Sequence, residues 1–199
     1  MCILIAIKKM ELFFLIILIL VSCSNQKPAN QLNKVEETVS LQLKQDTGSH
    51  VVTIFLDPEF AGKVDVFKEP NGRIIQSVQN NDEDDTVIMF DLLGKTDNMY
   101  YVIAYSGIDD SILAKGWIYK KNHLGICSSA YGHKRCSLYE MPFNKAKIVL
   151  TEKEYNPDVY QVLDFEGKWL KVQVKNKSRI YVGWMPPEMQ CANPYTTCS

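Results

Sequence analysis

An all-β fold is predicted for this chain, and three observations predict it. The first is the alternation in Trp169–Lys175: Leu170, Val172 and Val174 fall on one face, Lys171, Gln173 and Lys175 on the other. A period of two marks a half-buried strand. The second is punctuation. Turn signals at Asp57-Pro58, Glu69-Pro70-Asn71-Gly72, Asn80-Asn81-Asp82 and Leu93-Gly94-Lys95 separate short β-branched and aromatic runs, and no 3.6-residue period is sustained. The third is an internal repeat. Val66-Phe67-Lys68-Glu69-Pro70 matches Leu138-Tyr139-Glu140-Met141-Pro142, Tyr100–Tyr105 matches Trp169–Val174, and Gly116-Trp117-Ile118 matches Gly183-Trp184-Met185. The landmarks keep their order, and the span from proline to the next aromatic is 30 residues in one copy and 27 in the other. Length differences confined to turns are how a duplicated unit drifts.

Taken in order, the chain opens with Lys8 and Lys9 before an apolar run, Leu12–Val21, of ten residues. That length suits a signal-peptide core and falls short of a membrane span, which needs roughly 20. Leu20-Val21-Ser22-Cys23 follows and resembles the bacterial lipobox, in which the cysteine is acylated and becomes the new N-terminus. The resemblance implies a lipoprotein signal peptide over 1–22, lipidation of Cys23 and a membrane partner reached through acyl chains. Two or more chains give stable anchoring where one is marginal. The alternative is an uncleaved anchor helix. Ser24 after the cysteine, rather than Asp, resembles the sorting pattern of lipoproteins carried to the outer membrane of a Gram-negative bacterium. Residues 23–50 are polar and lack a sustained strand period, so they read as a tether.

The run Val51–Leu56 is β-branched and aromatic and stops at Asp57-Pro58, which makes it a strand. Further strands fit at Val64–Lys68, Arg73–Val78, Thr86–Leu92, Tyr100–Tyr105 and Leu113–Tyr119, between the turn signals. The repeat then divides the chain into a first domain, 51–122, a connector, 123–135, and a second domain, 136–199, with a C-terminal tail. In each copy glycine before tryptophan permits close approach of crossing strands, and the tryptophan closes a barrel too small to bury much else.

The motifs "Trp-Leu-Lys-Val-Gln-Val … Val-Gly-Trp-Met" and "Tyr-Tyr-Val-Ile-Ala-Tyr … Lys-Gly-Trp-Ile-Tyr" resemble the bacterial Src-homology-3-like (SH3-like) domain. The resemblance covers roughly 64–121 and 136–188 and implies two tandem small SH3-like β-barrels. The first copy departs from the pattern at Tyr100, where tryptophan is usual, and in the acidic insert Asp82-Glu83-Asp84-Asp85.

Four cysteines remain once Cys2 and Cys23 are set aside: Cys127, Cys136, Cys191 and Cys198. An even number in an exported chain reads as disulfides. Three connectivities exist, and the local pairing, Cys127–Cys136 with Cys191–Cys198, is the expected one. Against it stands a zinc site built from His123, Cys127, His133 and Cys136, whose spacing matches no established zinc pattern. No metal or cofactor is expected. Cys127 with His133 as nucleophile and base would need an enzyme domain for which the two repeats leave no room. The acidic run at 82–85 lacks the glycine and spaced ligands of a calcium loop and reads as a solvated turn that blocks edge pairing. With Lys8, Lys9 and Glu11 removed, the mature chain carries 20 basic and 22 acidic residues, net −2, which gives no electrostatic case for nucleic acid.

The aromatics carry the functional expectation. SH3-like barrels bind extended peptides in aromatic-lined grooves. By that resemblance Tyr139 and Trp169 are the expected ligand-binding residues; Trp169 lies opposite the Leu170/Val172/Val174 face and the core does not need it. The chain is thus expected to be a non-enzymatic, lipid-anchored protein of the cell envelope whose barrels bind peptidoglycan peptide or an envelope protein. The alternatives are an assembly scaffold without a ligand groove and, last, a zinc or thiol enzyme.

Overall fold

The computed structural model describes residues 51–81, 85–121, 123–129, 135–152, 156–196 and 198. The signal segment, Cys23, the tether, His133 and residues 82–84 of the acidic run lie outside the described residues. The strands are β1 (Val52–Leu56), β2 (Val64–Phe67), β3 (Ile74–Val78), β4 (Ile88–Lys95), β5 (Met99–Ser106), β6 (Ile112–Tyr119), β7 (Leu124–Ser128), β8 (Ser137–Tyr139), β9 (Ile148–Thr151), β10 (Tyr160–Glu166), β11 (Trp169–Asn176), β12 (Arg179–Met185) and β13 (Gln190–Cys191). A 3-10 turn, Pro187–Met189, precedes β13. The all-β expectation is met, and β1 to β6 fall within a few residues of the strands read from the sequence. One turn moved: Leu93-Gly94-Lys95 continues β4, and the reversal comes at 96–98, where Thr96 and Met99 close it.

All the strands join one open antiparallel sheet, in the order β3-β2-β6-β5-β4-β1-β7-β10-β11-β12-β8-β9, with β13 added to β7. Outward from the central β1–β7 pair, each side is a three-stranded meander followed by a hairpin. The order is β4, β5, β6, β2, β3 on one side and β10, β11, β12, β8, β9 on the other. Four of the five register shifts also fall at matching places, the exception lying between Ala104 and Tyr105 in β5. The register shifts between Leu92 and Gly94 in β4 and between Val162 and Asp164 in β10. It shifts again between Val66 and Phe67 in β2 and between Leu138 and Tyr139 in β8.

This register corrects the repeat alignment. Gly116 lies opposite Val102, and Gly183 opposite Val172. Tyr100 therefore corresponds to Leu170, not Trp169; both Tyr100 and Leu170 are fully buried. A slip of one residue moves a side chain to the other face, so matching Tyr100 to Trp169 on aromatic identity pairs an inward residue with an outward one.

Alternation fills the interior. Ile54, Phe90, Val102, Ile118, Leu124, Val162, Val172 and Met185 belong to one continuous core on one face, drawn from the strands on either side of β1–β7. The segment 123–135, expected to be a connector, holds β7, and this is a correction. Leu124-Gly125-Ile126-Cys127-Ser128 is buried at every position, as befits a central strand covered on both faces. β7 pairs with β1 through Leu124 and Gly125, with β10 through Gly125 and Ile126, and with β13 through Cys127 and Ser128.

The tail makes the second cover. Phe55, Val87, Cys127 and Cys191 form a small cluster on the opposite face from the main core, with Cys198 packed against it. The Cys191–Cys198 bridge is present, as expected. The Cys127–Cys136 bridge is not: both are buried free thiols. The reason is parity. Cys127 points to the outer cluster, while Cys136 lies in the main core with Leu138. Burial raises the Cys127 thiol to about 11 and the Cys136 thiol to about 12, so neither is a ready nucleophile near neutral pH.

A charged junction ties the two sides together. Lys95 Nζ donates to Asp164 Oδ1 at 3.0 Å and to the Phe165 carbonyl, and Lys120 Nζ donates to the same Asp164 oxygen at 3.1 Å. Burial alone would raise the Asp164 carboxyl, but the hydrogen bonds and charges of Lys95 and Lys120 outweigh it and hold it below the usual carboxylate range.

Candidate functional site

Pairing extends the outer face of β11 across β12, β8 and β9. Trp184 lies opposite Lys171, Val182 opposite Gln173 and Ile180 opposite Lys175. On the far side of β12, Trp184 pairs with Tyr139, and Tyr139 with Ile148. Directly opposed residues share a face, so Trp184, Tyr139, Val182, Ile180 and Ile148 form one surface, with Trp169 on the same side of β11. Ile180 is 64% exposed, Val182 42% and Ile148 50%.

Tyr139 and Trp169, the two residues expected to bind ligand, are brought together. Their rings meet edge to face, centroids 5.6 Å apart at 86°, an arrangement favoured by the aromatic quadrupole. Both are half-buried. Trp184 joins them and is also half-buried.

The matching surface on the first side differs. Trp117 holds the position of Trp184, opposite Phe67 rather than Tyr139. Its cross-strand neighbour is Tyr101, whose ring lies 5.1 Å away and covers it. Trp117 is 5% exposed as a result. Lys171 stands where Tyr101 would be, and it leaves Trp184 partly open.

The glycine before each tryptophan sets this geometry. A Cβ on Gly116 would lie 2.4 Å from the Phe67 carbonyl oxygen, and one on Gly183 would lie 2.6 Å from Val149 Cγ2 and 2.8 Å from Leu138 Cβ. The hairpins β2–β3 and β8–β9 thus seat on β6 and β12 only because those positions lack a side chain.

The other chemical candidates are dispersed. His123 stacks on Phe60, centroids 4.0 Å apart at 18°; burial, then the charge of Lys121, lowers its pKa. Cys127 and Cys136 are separated by the sheet. Among the described residues no group of three His, Cys, Asp or Glu side chains is placed to hold a metal. Asp85 takes a left-handed turn, φ 54°, beside the Asn81–Thr86 bridge.

Glu152, just past β9, is 6% exposed. Asn176 Nδ2 donates to its Oε2 at 2.6 Å, and Asn156 Nδ2 and the Tyr160 hydroxyl donate to its Oε1 at 3.3 and 3.4 Å. It forms part of a cleft of about 620 Å³ bounded by the β11–β12 turn. Glu152 sits within the polar run Thr151-Glu152-Lys153-Glu154, and nothing local marks one of those residues as buried.

No family model matches the chain, and no curated protein does. Among solved structures it is similar to NlpC2 from Trichomonas vaginalis, at 13% identity over 74% of this chain and 50% of that one, with a TM-score of 0.30. It is also similar to NlpC1 from Trichomonas vaginalis, at 15% identity over 73% and 48%, with a TM-score of 0.29. The chain spans about half the length of each, and likeness at that level carries no argument about fold or activity.

Proposed function

We propose that this chain is a non-enzymatic binding module of the cell envelope, lipid-anchored through Cys23, built from a duplicated SH3-like unit that recognises peptidoglycan peptide or an envelope protein. Two features support the duplication: the same strand order on either side of β1–β7 and register shifts at equivalent places. Bulges are kept within families. In this reading β7 serves twice, closing the first unit against β1 and opening the second against β10 and β13.

The observation that carries the binding reading is the difference between the two tryptophans. Trp117 is covered by Tyr101, whereas Trp184, Tyr139 and Trp169 form a partly open aromatic surface continuous with exposed Ile148 and Val182. Rigid aromatics at the centre of an apolar patch are the usual anchors of an interface. The second unit is the binding one, and the first supports it.

The test is sedimentation of the full chain, kept in detergent, with insoluble peptidoglycan, beside Trp169→Ala. Binding that falls by about tenfold or more in a variant with an unchanged melting temperature supports a wall-binding surface at Trp169. No sedimentation by either protein turns the reading to an envelope-protein scaffold.

A further inference from the structure

We infer that the cleft beside the β11–β12 turn is a second binding site, for a peptide segment that carries both an ammonium and a carboxylate group. The cleft, at about 620 Å³, has the size of a ligand pocket. Its charges are segregated. Inside lies Glu152, removed from water and held by Asn176, Asn156 and Tyr160, all neutral donors. Among the described residues the ion pairs are those of Lys95 and Lys120 with Asp164, and none reaches Glu152. Those donors satisfy the carboxylate by hydrogen bonds without an opposite charge, and an ammonium entering the cleft supplies one.

The rim has the opposite sign. Lys175, Lys177 and Arg179 line it, all three exposed and none ion-paired among the described residues. Asp158 is the one acidic rim residue among the lining side chains. Three cations within five residues of one hairpin repel each other, and Lys177 also takes a left-handed backbone, φ 56°, which glycine or asparagine adopts more readily. A carboxylate meeting the rim cations while an ammonium meets Glu152 satisfies both ends of the cleft and fixes ligand direction. The site shares no residue with the aromatic surface of Tyr139, Trp169 and Trp184, so either reading can fail without the other.

The experiment is a calorimetric titration of the full chain in detergent with the unblocked tripeptide Lys-Gly-Glu. Its forms with acetylated amines or amidated carboxylates and inorganic phosphate are titrated in parallel. The expected result is saturable binding at one site, weakened about tenfold or more by either blocking step. Lys177→Gly with Arg179→Ala should weaken the unblocked peptide by a similar factor while leaving the amidated form within about twofold of wild type. Lys177→Gly alone should raise the melting temperature while weakening the peptide, which separates a binding role from a folding one. Glu152→Gln should abolish the advantage of the free amines. Absence of saturable binding overturns the inference, as does equal binding of the blocked peptides. Phosphate binding as tightly as the peptide also overturns it, since a simple anion has no use for Glu152.

Discussion

Replacing Gly116 with alanine tests the geometry that positions both tryptophans. The new methyl would stand 2.4 Å from the Phe67 carbonyl oxygen and 2.8 Å from Val66 Cγ1. Ordinary contact needs about 3.5 Å, so β2 and β6 must part by roughly 1 Å. The nearest atom is backbone, which cannot rotate away, and the shift strains the Phe67–Trp117 pairing. Overpacking of this kind costs about 2–3 kcal/mol. For a domain of this size that is a melting temperature lower by roughly 4–12 °C. Gly183→Ala meets Val149 Cγ2 at 2.6 Å and Leu138 Cβ at 2.8 Å, neither of them the far end of a flexible side chain, and should cost a similar amount. Gly167→Ala is the control: nothing lies within 4 Å, but its φ of +54° makes alanine unfavourable by about 1 kcal/mol. Thermal unfolding followed by circular dichroism ranks the three. If Gly116→Ala melts no lower than Gly167→Ala, the close-approach argument is wrong for both crossings.

Three further outcomes follow from particular residues. Asp164→Asn should lower stability at pH 7 by about 1–2 kcal/mol, discounted for partial exposure of the network. Because the folded Asp164 carboxyl is held below 3.8, its contribution is complete above that value and lost as the pH falls through the lower folded one; acid unfolding curves of the variant should lack that component. His123 has a folded pKa below 6.5, so the native state resists its protonation. Stability should be complete above pH 6.5 and decline as the pH drops through the folded pKa, and His123→Phe, which keeps a ring against Phe60, should remove this dependence in denaturant titrations. Peptide mapping after alkylation should find Cys127 and Cys136 labelled only once the protein is unfolded, and Cys191 and Cys198 only after reduction. A linked peptide joining Cys127 to Cys136 would contradict the two-faced placement of those thiols.

Much of this was written locally. Alternation in Leu170, Val172 and Val174 marks the inward face of β11, and Trp169 emerges on the other face as that period requires. The Gly-Trp pairs announce strand crossings because a missing Cβ and a large ring are both needed where two strands meet. The Cys191–Cys198 bridge spans seven residues, and chain proximity favours it. Such features depend on near neighbours along the chain and are legible there. The rest follows from contacts between distant strands. Whether Cys127 can reach Cys136 depends on which face of the sheet each occupies, and that is fixed by the pairing of β7 with β1, β10 and β13. The same pairing turned an apparent connector into the central strand and joined the strands on either side of it over one core. The Glu152 cleft exists because a glutamate past β9 meets an asparagine 24 residues away at the end of β11. A buried carboxylate looks like any other acidic residue until folding takes its water away.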